Sequence, residues 1–264
     1  MKIAISGKGG VGKTLLSAFL ARAFAADGWD VIAIDADPDA NLATALGFPD
    51  ADKIVPVSHL KALIEERAGV KGGYFKLNPR VDDLPETHSV KHNGIRLMVM
   101  GEVKRGGGGC YCPENAVLSS LTAHILLGRK DVVILDMAAG IEHLSRGTAR
   151  AVDLLIIVVE PGRASIDTAR RVQTLGTDLG ITSLAVVGNK ISSHAEEEFI
   201  RSQTAGLPLL GFVPFDRGLA DMQMRGLAIT GSAVIESAAR DIYQRLIAGP
   251  TSNTEERGTS YCGS

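Results

Sequence analysis

The sequence predicts an α/β protein, a doubly wound, mainly parallel sheet flanked by helices on both faces. Short, continuous apolar runs such as Val31-Ile32-Ala33-Ile34, Val132-Val133-Ile134-Leu135 and Leu154 to Val159 read as strands buried on both sides. Stretches with apolar residues at helical spacing separate them, so strand and helix alternate along the chain. The first strand-like run, Ile3-Ala4-Ile5, leads straight into Gly7-Lys8-Gly9-Gly10-Val11-Gly12-Lys13-Thr14, a G-x-x-x-x-G-K-[ST] phosphate-binding loop.

The elements follow in order. From about Gly12 to Asp27 a helix carries Leu16, Phe19, Leu20, Ala23 and Phe24 on one face, with Gly28 as its C-cap. The strand Val31–Ile34 ends in Asp35-Ala36-Asp37-Pro38-Asp39, acidic residues where open α/β sheets bind ligands. A short helix then runs through Leu46. Ser58 to Ala68 reads as a helix with Ser58 as N-cap, and 69–94 as an excursion of turns and charges without clear periodicity. Ile95 to Met100 returns the chain to the sheet. Four glycines, Gly106 to Gly109, precede Cys110-Tyr111-Cys112-Pro113, and Pro113 suits the first turn of a helix to about Gly128. Asp131 to Asp136, four apolar residues and an aspartate, is a Walker B pattern, and Leu154 to Val159 a further strand. Then come a helix at about 165–179, a strand at 183–187 closing in Gly188-Asn189-Lys190, a polar helix at about 195–204, a strand at 209–213 and a last helix near 232–247. Residues 1–248 are expected to form one phosphate-loop domain, and the polar tail 249–264 to be disordered.

Composition narrows the function classes. Hydrophobic residues are 45% and charged ones 22% of 264, with a net charge of −2. That balance gives no broad nucleic-acid footprint. The longest apolar run is far too short for a membrane span, and the N-terminus has no apolar signal region, so a cytoplasmic protein is expected. Three cysteines, two of them two residues apart, argue for thiol or metal chemistry over a disulfide framework. Cys262 reads as an incidental tail thiol, His143 as a helix-surface residue, and Glu196-Glu197-Glu198 as a solvated face.

The loop implies a nucleoside triphosphatase. The backbone of Gly9, Gly10, Val11 and Gly12 faces the phosphates, Lys13 serves the β- and γ-phosphates, and the Thr14 hydroxyl serves Mg²⁺. Asp136 belongs to the Mg²⁺ shell, and Asp37 or Asp35 holds the attacking water or a metal-bound one. Cys110 and Cys112, on a glycine-rich loop at a helix N-terminus, are expected to have lowered thiol pKa values.

With Lys8 directly after its first glycine, the loop resembles the deviant Walker A ATPases, the group of MinD, ParA and the nitrogenase iron protein. The resemblance implies ATP as the nucleotide and a two-fold dimer in which Lys8 reaches the partner's nucleotide. It favours Asp37 over Asp35 beside the attacking water. It also implies adenine contacts from Asn189 and Lys190 (Asn189 otherwise reads as a turn residue) and main-chain contacts at Val213-Pro214. A closer resemblance, to the CooC family, covers the chain to about residue 248. It rests on Met100-Gly101-Glu102-Val103-Lys104 leading to Cys110-Tyr111-Cys112-Pro113-Glu114-Asn115, and on Asp136-Met137-Ala138-Ala139-Gly140-Ile141-Glu142-His143-Leu144. It implies an accessory ATPase that helps insert nickel into carbon monoxide dehydrogenase, or into a related nickel enzyme such as acetyl-CoA synthase.

Two cysteines supply half of a closed tetrahedral site, and the same loop of a two-fold partner supplies the rest. Four thiolates suit Zn²⁺, and also Ni²⁺ if the site flattens. ATP-driven closure of a homodimer would then gate a metal shared through Cys110 and Cys112. Two alternatives stand beside this reading. One is an iron–sulfur carrier or electron-donor ATPase. The other is a MinD- or ParA-like positioning ATPase, which calls for a basic membrane helix or DNA stripe; neither is evident, and no nucleic-acid or membrane partner is expected.

Overall fold

The computed structural model describes residues 1–69, 76–101, 113–128, 132–141, 144, 146–225, 227 and 233–248. The expected tail 249–264 lies outside them. The described strands are β1 (Lys2–Gly7), β2 (Val31–Ala36), β3 (Val90–His92), β4 (Ile95–Val99), β5 (Val132–Met137), β6 (Leu154–Val159), β7 (Leu184–Ile191) and β8 (Leu209–Pro214). They form one sheet in the order β3-β4-β2-β5-β1-β6-β7-β8. Every neighbouring pair is parallel except the antiparallel edge β3–β4. From β1 the chain goes out on one side through β2 to β3 and β4, returns to place β5 between β2 and β1, and then winds outward on the other side through β6, β7 and β8. The carboxyl ends of β1, β5 and β6 therefore flank the place where winding reverses, which is where such sheets bind ligands.

The helices are α1 (Lys13–Ala26), α2 (Leu42–Leu46), α3 (Lys61–Ala68), α4 (Leu84–Thr87), α5 (Pro113–Gly128), α6 (Arg146–Ala149), α7 (Arg163–Leu179), α8 (His194–Gln203), α9 (Arg217–Met224) and α10 (Ala233–Ala248). Strand residues alternate between two cores. Ile3, Ile5, Val31 and Ala33 face α1, α2 and α10, where Phe24 and Tyr243 meet edge to face at 4.8 Å. Ala4, Ile32, Ile34 and Val133 face α3, α5 and α7. With both faces covered, an apolar residue is buried whichever way it points, hence the continuous runs. No helix among the described residues is long and apolar enough to cross a membrane.

Local chemistry sets two of the boundaries. After α1, Gly28 takes φ 83°, and Gly28 and Trp29 donate back to Ala25 and Phe24. At α8 the Ser193 hydroxyl accepts from Glu196 N, while the Glu196 carboxylate accepts from Ser192 N at 2.6 Å. Glu196 is thus part of a cap rather than only a solvated face.

Three expectations are corrected. The helix expected from Ser58 begins at Lys61, and Ser58 caps nothing: Val57–His59 is a 3₁₀ turn whose Ser58 N–H donates to Met100 O. The stretch 69–94 contains α4 and β3, and β3 joins β4 through Asn93 and Gly94, both in the left-handed region. An Asn-Gly pair before an apolar run is a hairpin signal that reading by periodicity overlooks. Finally, the strand expected to close at Val187 continues to Ile191, so Asn189 and Lys190 lie within β7 rather than in a turn.

Candidate nucleotide site

Residues 7–14 connect β1 to α1. Gly7, Gly10 and Gly12 have φ values of 150°, 76° and 98°. Two of the glycines also have no room for a side chain. A Cβ on Gly7 would lie 2.4 Å from Val158 O, and one on Gly12 would lie 2.1 Å from Asn189 Nδ2. Val11 is buried in the core and anchors the loop from below. The loop's backbone and the start of α1 border a cavity of about 550 Å³. Gly9, Gly10, Gly12, Lys13, Thr14, Asp37, Asn189, Lys190 and Pro214 all line it. Lys13 is buried, and its Nζ donates to Lys8 O at 3.3 Å.

Two carboxylates meet behind the loop. Asp35 on β2 and Asp136 on β5 are register partners, and both are fully buried. Asp35 is committed to the backbone, accepting from Asp37 N at 3.2 Å and Leu42 N at 2.9 Å. Burial, and then the charge of Asp136, push its pKa up to about 7. Asp37, two residues on, borders the cavity itself. Asp136 Oδ1 accepts from Ser17 Oγ at 2.9 Å, whereas its Oδ2 is buried without a hydrogen-bond partner. Burial raises the Asp136 pKa to about 6 against the opposing hydroxyls of Thr14 and Ser17 and the charge of Lys13.

An orphaned carboxylate oxygen in the core is costly unless something positive is to meet it. Beside Thr14 and the phosphate loop, a hard divalent cation fits that description, so the residues suit Mg²⁺. Thr14 and Asp136 are the side chains that would hold it. Ser17 was not among the residues expected from the sequence. Its signal is a hydroxyl three residues after Thr14, on the same helix face, in an otherwise apolar run.

Lys8, Lys190 and Glu160 form a second, charged cluster. Lys8 Nζ lies 3.2 Å from Glu160 Oε1, and Lys190 Nζ lies 3.2 Å from Glu160 Oε2 and 2.7 Å from Gly10 O. Lys190 has φ 60°, at an irregularity in the β7–β8 ladder. Such a bulge re-aims a side chain, here onto the phosphate loop. Asn189 is buried, and its Nδ2 donates to Val11 O at 2.8 Å, so its amide N–H braces the loop. Phe215, Asp216, Leu219 and Leu227 complete one wall of the cavity beyond Pro214. They follow β8, where the sequence shows no motif beyond Val213-Pro214.

Cys110 and Cys112 lie outside the described residues, as do Glu142, His143 and Cys262. Among the described residues, no group of three or more His, Cys, Asp or Glu side chains is placed to hold a metal ion.

Residues 2–229 match the model of the CobQ/CobB/MinD/ParA nucleotide-binding domain. The chain is 46% identical over 262 residues to the carbon monoxide dehydrogenase accessory protein CooC of Rhodospirillum rubrum, covering 95% of this chain and 98% of that one. It is 43% identical over 253 residues to an uncharacterised ATP-binding protein of Methanocaldococcus jannaschii, covering 94% and 98%. Among solved structures it is similar to the MinC:MinD cell division protein complex of Aquifex aeolicus, with a TM-score of 0.68 and 25% identity over 96% of this chain and 98% of that one.

Proposed function

Because the chain belongs to the CobQ/CobB/MinD/ParA nucleotide-binding family, and within it to the CooC family, we propose that this ATPase is a cytoplasmic maturation factor for a nickel enzyme. Its target is carbon monoxide dehydrogenase or a related nickel enzyme, and nickel is its cargo. The observation that carries the target is the 46% identity, along nearly the whole of both chains, to a protein named for that accessory role.

Hydrolysis follows from the residues around the cavity. Lys13, buried at the head of α1, balances charge on the β- and γ-phosphates, which also meet the backbone of Gly9 to Gly12 and the positive end of the helix. Mg²⁺, held through Thr14 and Asp136, would neutralise charge between the two terminal phosphates. Asp37 orients the attacking water. Asp35, with both oxygens committed to backbone N–H groups, shapes the turn that presents Asp37. Asn189, Lys190 and Pro214 also line the cavity, and the base is assigned to their side of it.

Two such chains form a homodimer in which Lys8 of each reaches the nucleotide of the other. Cys110 and Cys112 of both chains bind one Ni²⁺ or Zn²⁺ between them. ATP binding closes the pair, and hydrolysis opens it and releases the metal to the target. Metal content, measured with and without nucleotide, tests this. The native protein is expected to hold about one ion per two chains. The Cys110→Ser/Cys112→Ser variant should hold none, and an unchanged Ni²⁺ stoichiometry in that variant refutes the shared site.

A further inference from the structure

Glu160 follows β6 at its carboxyl end and takes the lysines of two neighbouring strands on one carboxylate: Lys8 from the loop after β1 and Lys190 from the bulge of β7. The residue is fixed from behind, since Glu160 N donates to the buried hydroxyl of Ser165 in the first turn of α7. Lys190 is fixed as well, by Gly10 O at 2.7 Å. Burial works to raise the Glu160 pKa, but the hydrogen bonds from Lys190 and Lys8 outweigh it and hold the group below its ordinary value. Lys8 is therefore engaged within its own subunit.

We propose that Glu160 is a holding residue: in the single chain it keeps Lys8 on its own subunit, and it gives Lys8 up when a second copy of the chain presents its nucleotide phosphates. The inference rests on the dimer reading above. The charges suit an exchange. A carboxylate shared by two ammonium groups still has Lys190 after Lys8 departs, so no half-buried charge is stranded. Lys8 leaves one carboxylate for the larger charge of a triphosphate. The contact is also weak enough to open, because the Lys8 side chain is 42% exposed and exposed ion pairs contribute little. Two such contacts must open for each dimer, so the effect enters twice. Glu160 thereby sets the threshold at which bound ATP becomes a closed pair.

Sedimentation of the full chain with Mg²⁺ and a non-hydrolysable ATP analogue tests the proposal. Glu160→Gln is expected to raise the dimer association constant roughly 4- to 25-fold, from about two- to five-fold per released lysine. Lys8→Ala is expected to lose the analogue-dependent dimer, and adding Glu160→Gln to it to restore nothing, because Glu160 acts through Lys8. Glu160→Asp keeps the charge but withdraws the carboxylate by one methylene. It should shift the constant the same way by a smaller factor, and it serves if the glutamine variant does not fold. Dimerisation of both Glu160 variants equal to or weaker than native, while Lys8→Ala still abolishes it, overturns the proposal. Native-like dimerisation of Lys8→Ala overturns the dimer reading, and the proposal with it.

Discussion

Asp35 and Asp136 are two fully buried carboxylates at the ends of adjacent strands, and their titration ties stability to pH. Folding raises their pKa values from 3.8 to about 7 and about 6, through burial first. Between about pH 4 and 7 the folded chain therefore binds more protons than the unfolded one. The unfolding free energy is highest at the low end of that window and falls as pH rises through it. Thermal unfolding of the nucleotide-free protein is expected to occur at a higher temperature at pH 5 than at pH 8. Mg²⁺ with ATP should narrow the gap, because the cation favours the ionised form of Asp136. Asp136→Asn removes the charge that the core disfavours. At pH 8 it is expected to gain about 1–2 kcal/mol of stability while ATP hydrolysis falls about 10- to 100-fold. Chemical denaturation and phosphate release measure the two separately, and a loss of stability in this variant would contradict the account of the orphaned oxygen.

The phosphate loop and β7 act as one unit, because the Asn189 amide fills the space above Gly12 and donates to Val11 O. Gly12→Ala would place a methyl group 2.1 Å from that amide, at φ 98°. It is expected to cost about 1–3 kcal/mol and to weaken ADP binding by calorimetry. Gly9→Ala, whose Cβ would meet nothing within 4 Å, should melt like the native chain. The loop and the strands were legible in the sequence because their signals are local: glycines before Lys13-Thr14, apolar runs, and the aspartate closing β5. What was not legible depends on tertiary partners. Ser58 looks like a cap, but its Oγ is buried without a hydrogen-bond partner, its N–H pairs with Met100 O, and the helix starts three residues later. Asn189 looks like a turn residue, but a bulge carries β7 past it. Glu160 carries no motif at all; its place between Lys8 and Lys190 comes from β6 lying between β1 and β7 in the sheet.

For the whole molecule, the sheet brings Lys13, Thr14 and Asp37 to one cavity, although they come from two separate strand ends. Asp136, at the end of a third strand, lies buried behind the loop, where its Oδ1 accepts from Ser17 Oγ on α1. A hydrolytic site of this kind becomes a maturation factor only if turnover is coupled to delivery of the cargo. Lys13→Ala should therefore still fold, with a thermal transition near native, yet fail both to hydrolyse ATP and to deliver nickel. The most direct measurement is the rate at which nickel-free carbon monoxide dehydrogenase gains activity with Ni²⁺ and ATP, in the presence of the native protein, Lys13→Ala or neither. The account predicts ATP-dependent acceleration by the native protein alone. Equal rates in all three mixtures, or acceleration that persists without ATP, would contradict it.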